Sequence, residues 1–205
     1  ADSFKKIANG HFFYSPSKKG LGEIRWNELN SLLSERSGPD RSRILSWLDK
    51  FLALNTYEIS VPALKDPDMA PEGKTGLIIS FLADYDLFKM IAERDWYKEF
   101  ISELEERIIK VLAGSVYPML KEKATAHFSF SPLNYKNRVG TSEGAITGWS
   151  FREPVPVINK IMAANQAVVT PIPSIFQAGQ WTYSPAGVPM AILTGKLAAR
   201  KILNK

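Results

Sequence analysis

The chain has 205 residues, of which 45% are hydrophobic, and a formal net charge of +5, so it can bury a core in one or two domains. Because it has no cysteine and only two histidines, a disulfide framework and a thiolate nucleophile are excluded, and a multi-histidine metal site is disfavoured. No apolar run is long enough to cross a membrane. Basic and acidic residues are mixed outside the last helix, which favours an ordinary soluble surface; the alternative is affinity for an anionic membrane or a polyanion. No nucleic-acid partner is expected.

The first part of the chain alternates between strand and helix patterns. Residues 11–16 (HFFYSP) and residues 56–61 (TYEISV) are typical of short, half-buried strands. Between them, Asp40 can cap a helix that Asn55 ends. The apolar face of this helix comprises Ile44, Leu48 and Phe51. The continuous apolar run 76–83 (GLIISFLA) predicts a central strand that is covered on both faces.

The middle of the chain contains the clearest helix. Residues 97–112 carry one apolar stripe and acid-first ion pairs one turn apart, and Gly114 ends the pattern. Residues 124–131 (ATAHFSFS) alternate as a strand does, and residues 132–140 (PLNYKNRVG) favour a helical turn.

The chain closes with a predicted strand, a loop and a helix. The strand covers residues 171–179 (PIPSIFQAG), and the helix begins at Pro189 and continues to the C-terminus. Because strands and helices follow each other without regular βαβ spacing, we expect an α+β fold with a mixed or antiparallel sheet and packed helices.

Few residues carry a catalytic pattern. The sequence has no Gly-x-Ser-x-Gly elbow, no phosphate-binding loop and no GxGxxG fingerprint. Asp66 with Asp68, and Asp84 with Asp86, are interpreted as turn formers in preference to acid–base pairs. His127 is interpreted as a buried, hydrogen-bonded structural histidine in preference to a catalytic base.

The strongest functional signal is the start of the last helix. Ala186, Gly187 and Val188 offer no capping side chain, although such side chains are strongly preferred there. The free N–H groups of the first turn could therefore bind an anion or a dipole, and Gly179 and Gly187 would let a ligand approach the backbone. The alternative is a C-terminal core helix that happens to begin with proline. Its apolar residues on more than one side predict burial against a larger body.

Four segments resemble the FAD-dependent phytoene desaturase and carotenoid isomerase family, within the wider flavin amine-oxidase-like group. They are NGHFFYSPS, YEISVPALKDPDMAPEGKTGLIIS, SPLNYKNRVGTSEGAITGW and AGQWTYSPAGVPMAILTGKLAA. The resemblance implies that residues 1–170 are a substrate-domain portion, and that residues 171–205 are the C-terminal strand and helix that close the FAD site. The GxGxxG half of the family is absent from this sequence, so we expect the chain alone to be inactive and to retain no FAD.

The resemblance also implies which residues meet the cofactor. Gly179 and Gln180 would lie near the ribityl chain or the diphosphate of FAD. Gly187, Val188 and Met190 would offer N–H groups to the pyrimidine edge of the flavin. Gln180 departs from the family, whose members often have an acidic residue or threonine there. Catalytic residues are not assigned, and no metal is expected.

The family transfers hydride equivalents between flavin and a long polyene or isoprenoid chain, by desaturation or redox-neutral isomerisation. The resemblance therefore implies an apolar substrate, a cytoplasmic location and peripheral membrane contact. The uncovered half-site also predicts homo-oligomers. The candidates for an apolar substrate tunnel are Phe12, Phe13, Phe81, Phe128, Phe130, Trp149 and Phe151. The alternative function is a non-catalytic apolar-ligand-binding or interaction module that keeps the substrate half of the fold.

Overall fold

The computed structural model describes residues 10–19, 26–35, 38–146 and 157–204. The chain divides into two compact units, residues 1–134 and residues 135–205, which we describe separately. Helices and an antiparallel sheet occur together, which confirms the predicted α+β class.

The sheet of the first unit has three antiparallel strands in the order β1-β2-β3. The strands are β1 (His11–Tyr14), β2 (Tyr57–Ser60) and β3 (Ile78–Ser80). Tyr57 and Ile59 lie on the face that packs against the core, and both are fully buried. On the opposite face, Phe13 is 69% exposed. The two strands predicted around residues 11–16 and 56–61 are therefore confirmed.

The prediction of a central strand over residues 76–83 was wrong. Of residues 76–83, only Ile78–Ser80 form a strand. This strand lies at the edge of the sheet, and among the described residues its strand partner is β2. Ile78 is 53% exposed and Leu82 is 78% exposed. An apolar run reports hydrophobicity but not the number of neighbouring strands, so it could not distinguish an edge strand from a central one.

Helices cover the buried face of the sheet. They are α1 (Trp26–Leu33), α2 (Arg41–Leu54), α3 (Tyr85–Ala92), α4 (Tyr97–Ala113), α5 (Leu120–Lys123) and α6 (Pro132–Val139), with 3-10 turns at Pro62–Leu64 and Pro67–Met69. Helix α6 crosses the boundary between the two units and lies where a helical turn was predicted.

Asp40 caps α2 as predicted. Its carboxylate accepts a hydrogen bond from the Ser42 N–H at 3.1 Å, and this bond lowers the pKa of Asp40. Asn55 is the C-cap residue, also as predicted. The predicted apolar face is buried: Ile44, Leu48 and Phe51 are at most 5% exposed. Capping and periodicity together were sufficient to place this helix.

Two of the four aspartates interpreted as turn formers cap short elements. The Asp66 side chain accepts from the Asp68 N–H at the 3-10 turn Pro67–Met69. The Asp84 side chain accepts from the Leu87 N–H at the start of α3. These local bonds support a structural role for both carboxylates.

Helix α4 confirms the clearest helix prediction, and Gly114 is its C-cap residue. Phe100, Leu104 and Leu112 are its buried residues. The predicted pair of Glu103 and Arg107 forms, and Arg107 Nε also lies 2.9 Å from the Asp49 carboxylate in α2. The guanidinium therefore links the two longest helices of this unit.

The prediction of a strand over residues 124–131 was wrong. This segment has no regular secondary structure, is mostly exposed, and pairs with no strand in the described part of the chain. Instead, the Ser129 hydroxyl donates to the Glu105 carboxylate of α4, and His127 Nε2 lies 3.3 Å from the other oxygen of Glu105. The side chain of His127 is 50% exposed, so its predicted burial was also wrong.

The second unit is built around its last helix. Its helices are α7 (Ala164–Ala167) and α8 (Val188–Leu203), with 3-10 turns at Ser142–Gly144 and Ile161–Ala163. In its described residues, the extended contacts are two isolated bridges, one of which joins Val169 and Phe176. The strand predicted over residues 171–179 is reduced to that bridge, so this prediction was wrong.

Candidate functional site

A loop that begins at Gly179 and ends at Gly187 leads into α8. Gly179 has φ 111°, and Gly187 has φ 129° and ψ 171°, angles that are open almost exclusively to glycine. A Cβ atom built on Gly179 would meet nothing within 4 Å, and one on Gly187 would meet only Pro189 Cδ, at 3.8 Å. Glycine is therefore needed for the backbone angle, and the space beside both residues is open.

The first turn of α8 keeps unused N–H groups. Gly187 is the N-cap residue and makes no side-chain cap. The Ala191 N–H donates to the Gly187 carbonyl at 2.9 Å, which is the first bond of the helix. Pro189 has no N–H. The described residues provide no acceptor for the N–H groups of Val188 and Met190, so two donors are free at the positive end of the helix dipole.

Thr194 connects this first turn to the start of the loop. Its side chain is fully buried. Its Oγ1 accepts from the Gly179 N–H at 3.0 Å and lies 2.8 Å from the Met190 carbonyl oxygen. The sequence analysis did not select Thr194. The available signal was a polar β-branched residue among the apolar residues of the first half of the helix.

The end of the loop is anchored to the core of the second unit. Tyr183 packs with Ala164 and Ala167 of α7. The Ser184 N–H donates to the Ile158 carbonyl at 3.0 Å, beside a parallel bridge between Ile158 and Tyr183. The buried Ser184 hydroxyl has no hydrogen-bond partner in the described part of the chain. These contacts fix the loop where it turns toward α8.

Four of the five predicted cofactor residues lie at the start of α8 or are connected to it by hydrogen bonds. Gly187, Val188 and Met190 form the start of α8, and Gly179 is joined to Met190 through the Thr194 hydroxyl. Gln180 follows Gly179 and is half-buried. Their contact with a flavin stays a prediction.

One side of α8 is exposed and apolar except for Lys196. We call it the α8 stripe; its members are Val188, Ile192, Ala199, Ile202 and Leu203. Val188 is 73% exposed and Ile192 is 68% exposed. In this helix only Thr194 and Ala198 are buried. The stripe is therefore uncovered within this chain, and its burial against a larger body stays a prediction.

The aromatic tunnel candidates do not share one environment. Phe12 and Phe81 pack against the core of the first unit, whereas Phe13 lies on the exposed face of the sheet. Phe128 is 83% exposed and meets Phe130 edge to face, with ring centroids 6.0 Å apart. The two remaining candidates, Trp149 and Phe151, lie outside the described residues.

The polar pairs of the first unit have structural explanations. His11 Nε2 lies 2.8 Å from the Glu58 carboxylate across β1 and β2, which is a cross-strand ion pair when the imidazole is protonated. Burial raises the pKa of Tyr57, and its hydroxyl donates to the Leu52 carbonyl at 2.7 Å. Burial also raises the pKa of Tyr117. Both phenols therefore remain protonated at neutral pH.

The described residues contain neither a candidate metal site nor a candidate membrane-spanning helix. They contain no group of three or more histidine, aspartate or glutamate side chains placed to hold a metal ion. Nor does any helix there combine the length and the apolar character needed to span a membrane.

The relatives of this chain and the family sequence model that matches it agree with each other. The chain is similar to 4,4'-diapophytoene desaturases (4,4'-diaponeurosporene-forming) from Staphylococcus aureus strains Newman, USA300 and NCTC 8325 / PS 47. Identity to each is 24% over 152 residues, which cover 71% of this chain and 28% of the relative. The chain thus spans little more than a quarter of these relatives. No solved structure matches it. The sequence model of flavin-containing amine oxidoreductases matches residues 17–203, and the chain therefore belongs to that family.

Proposed function

We propose that this chain forms one wall of the flavin site in a longer FAD-dependent oxidoreductase. The observation that carries the proposal is the uncapped start of α8, where the N–H groups of Val188 and Met190 are free and Gly187 leaves open space. Helix starts of this kind bind groups that carry negative charge. The family match over residues 17–203 identifies the expected ligand as a flavin.

The residues present fit such a cofactor. Val188 and Met190 would donate hydrogen bonds to its pyrimidine edge, and Gly187 would leave room for the ring. Gly179 and Gln180 would lie beside the ribityl chain or the diphosphate. When bound, FAD supplies the capacity to accept and return hydride equivalents. The contribution of this chain is to orient the ring and, through the α8 dipole, to favour negative charge at its edge.

We propose a long polyene or isoprenoid chain as the substrate, with desaturation or redox-neutral isomerisation as the reaction. The support is the similarity to the 4,4'-diapophytoene desaturases. Desaturation would remove a hydride, which a bound flavin would accept, and a proton, which would pass to solvent because no residue of this chain is assigned as its base. The chain would instead provide apolar contacts, and the exposed Phe128–Phe130 pair is a candidate surface for them.

The α8 stripe supports a second body in the complete protein. A helix face with several large, exposed apolar side chains is usually covered in a native protein. We propose that the dinucleotide-binding half of the family covers it, so that residues 171–205 belong to the FAD domain and residues 1–170 to the substrate domain. We further propose a cytoplasmic enzyme with peripheral membrane contact, because its substrate would be lipid-soluble.

A second candidate function is a non-catalytic module that binds an apolar ligand or partner. The exposed Phe13 and the Phe128–Phe130 pair favour it, because each could contact such a ligand without any flavin. A full-length protein that binds an isoprenoid but no flavin would support this function instead.

The test removes one N–H donor and leaves the helix start intact. Val188→Pro deletes the Val188 N–H at the first helical position, where proline is favoured. Val188→Ala is the matched control, because it removes the side chain but keeps the donor. In the full-length protein we expect Val188→Pro to weaken flavin binding about tenfold, the loss of roughly one charge-assisted hydrogen bond.

Flavin affinity is measured by fluorescence titration of the apoprotein, alongside the melting temperature. We expect Val188→Ala to bind flavin as the unmodified protein does. Equal flavin affinity in both variants would contradict a role for the start of α8.

A further inference from the structure

The Thr194 hydroxyl takes part in a short chain of hydrogen bonds. It accepts from the Gly179 N–H at 3.0 Å. A hydroxyl has one proton to give, and the nearest acceptor for it is the Met190 carbonyl at 2.8 Å. The carbonyls of Ala191 and Gly179 are farther away, at 3.1 and 3.4 Å. The bonds therefore run from the Gly179 N–H through Thr194 to Met190.

This chain of bonds joins the two parts of the proposed flavin site. Gly179 belongs to the loop, and Met190 belongs to the first turn of α8 and carries one of the free N–H groups. Thr194 lies one turn further along α8 and is fully buried. A single buried oxygen thus fixes the distance between the loop and the helix start.

Helix stability alone does not explain a threonine at this position. Threonine is a weaker helix former than leucine or alanine, and its bond to the carbonyl four residues earlier slightly destabilises or bends a helix. What a hydrophobic residue could not do is accept the Gly179 N–H. That bond restrains Gly179, a loop residue with a φ of 111° and no side chain to restrict its backbone.

We propose that Thr194 is a positioning residue of the flavin site, which holds Gly179 and the first turn of α8 in the arrangement that the cofactor requires. This inference rests on the proposed function. Thr194 need not touch the flavin, because it acts through the two backbone segments that it joins.

The experiment compares three variants of the full-length protein. Thr194→Val removes the hydroxyl with little change of volume, and Thr194→Ser keeps the hydroxyl. Thr170→Val is the matched control, because the Thr170 hydroxyl also bonds to backbone atoms of the second unit, including the Ile175 carbonyl at 2.8 Å, but none of its partners belongs to Gly179 or α8. Flavin affinity is measured by titration, and exchange of the Gly179 amide by hydrogen–deuterium exchange of the flavin-free protein.

We expect Thr194→Val to weaken flavin binding about tenfold or more, which corresponds to roughly 1.4 kcal/mol, and to speed exchange of the Gly179 amide by a similar factor. Thr194→Ser should stay within about threefold of the unmodified protein in both measurements, since it keeps a donor and an acceptor. Thr170→Val should change neither. If Thr194→Val does not fold, Thr194→Ala is measured against the same criteria.

Unchanged flavin affinity in Thr194→Val, with a lowered melting temperature, would overturn the proposal and leave Thr194 a structural residue while the proposed function stands. An unmodified protein that binds no flavin would overturn the proposed function, and this inference with it. Faster Gly179 exchange in Thr194→Ser than in Thr194→Val would also overturn the proposal, because the bond would then not depend on the hydroxyl.

Discussion

Gly187 has two physical reasons to be glycine. Its φ of 129° and ψ of 171° lie in a backbone region that residues with a side chain almost never adopt. It also stands beside open space at the start of α8, where a Cβ atom would meet no protein atom closer than 3.8 Å. The first reason concerns the free energy of folding and the second concerns ligand approach. A substitution changes both, so a test must measure them separately.

We predict that Gly187→Val in the full-length protein lowers stability and abolishes most flavin binding. The backbone angle costs about 1–3 kcal/mol. The branched side chain would also occupy the space assigned to the pyrimidine edge. The measurement is the flavin-to-protein absorbance ratio of the folded fraction, beside the melting temperature.

Gly73 provides the control. It has a φ of 73°, and a Cβ atom there would meet nothing within 4 Å. Gly73→Val therefore imposes backbone strain far from the proposed site in the sequence. We expect it to lower the melting temperature and to leave flavin occupancy per folded molecule unchanged. Full occupancy in Gly187→Val as well would show that Gly187 serves the backbone angle alone.

At the scale of elements, sequence patterns predicted helices well where the signal was local. Asp40 supplies a carboxylate to the Ser42 N–H, so the start of α2 could be read from adjacent residues. The stripe of α4 repeats over its whole length, and its buried residues follow that stripe. Local bonds and periodicity carry this information within a few turns of chain.

Strands were predicted less well because they depend on residues elsewhere in the chain. Residues 124–131 alternate as a strand does, but Ser129 and His127 contact Glu105 of a helix instead of a second strand. The alternation states which side chains share a face, and it does not state whether a partner strand exists. The start of α8 was predictable from Pro189 to within one residue, whereas its link to Gly179 through Thr194 required the folded chain.

The α8 stripe leads to a prediction about association of this 205-residue chain. Exposed apolar surface of this kind drives self-association in water. We expect the chain to form dimers or larger oligomers at micromolar concentration. Ile192→Glu, which places a charge in the middle of the stripe, should shift it toward the monomer because a carboxylate is costly to bury. Light scattering over a dilution series measures the change.

Lys201→Glu is the control for the added carboxylate. Lys201 is exposed, and because it follows Ile192 by nine residues it lies on the opposite side of α8. We expect this variant to associate as the unmodified chain does. Equal loss of association in both variants would indicate that charge, and not the stripe, holds the oligomer together.

At the scale of the whole molecule, the first unit contains the larger hydrophobic core, and the second unit contains the residues of the proposed flavin site. The core of the first unit gathers large buried side chains such as Tyr57, Tyr117 and Phe100. The buried cluster of the second unit is small and centres on Ala164, Ala167 and Tyr183. The second unit nevertheless carries the free donors of α8. The proposed binding site and the larger hydrophobic core therefore lie in different units.

The last prediction concerns what this partial site can bind without further residues. Tight binding of a dinucleotide in this kind of enzyme needs a strand, a glycine-rich turn and a helix that receive the pyrophosphate, and the 205-residue sequence has no GxGxxG segment. The two free N–H groups of Val188 and Met190 would contact only the ring. We therefore expect the purified chain to be colourless, with a dissociation constant for FAD above about 10 μM, corresponding to a binding free energy weaker than roughly −7 kcal/mol. Calorimetric titration measures it, with the full-length protein as the positive control. Tight binding by the 205-residue chain would mean that its own loop and helix suffice, and that the missing pyrophosphate site is not needed to hold the cofactor.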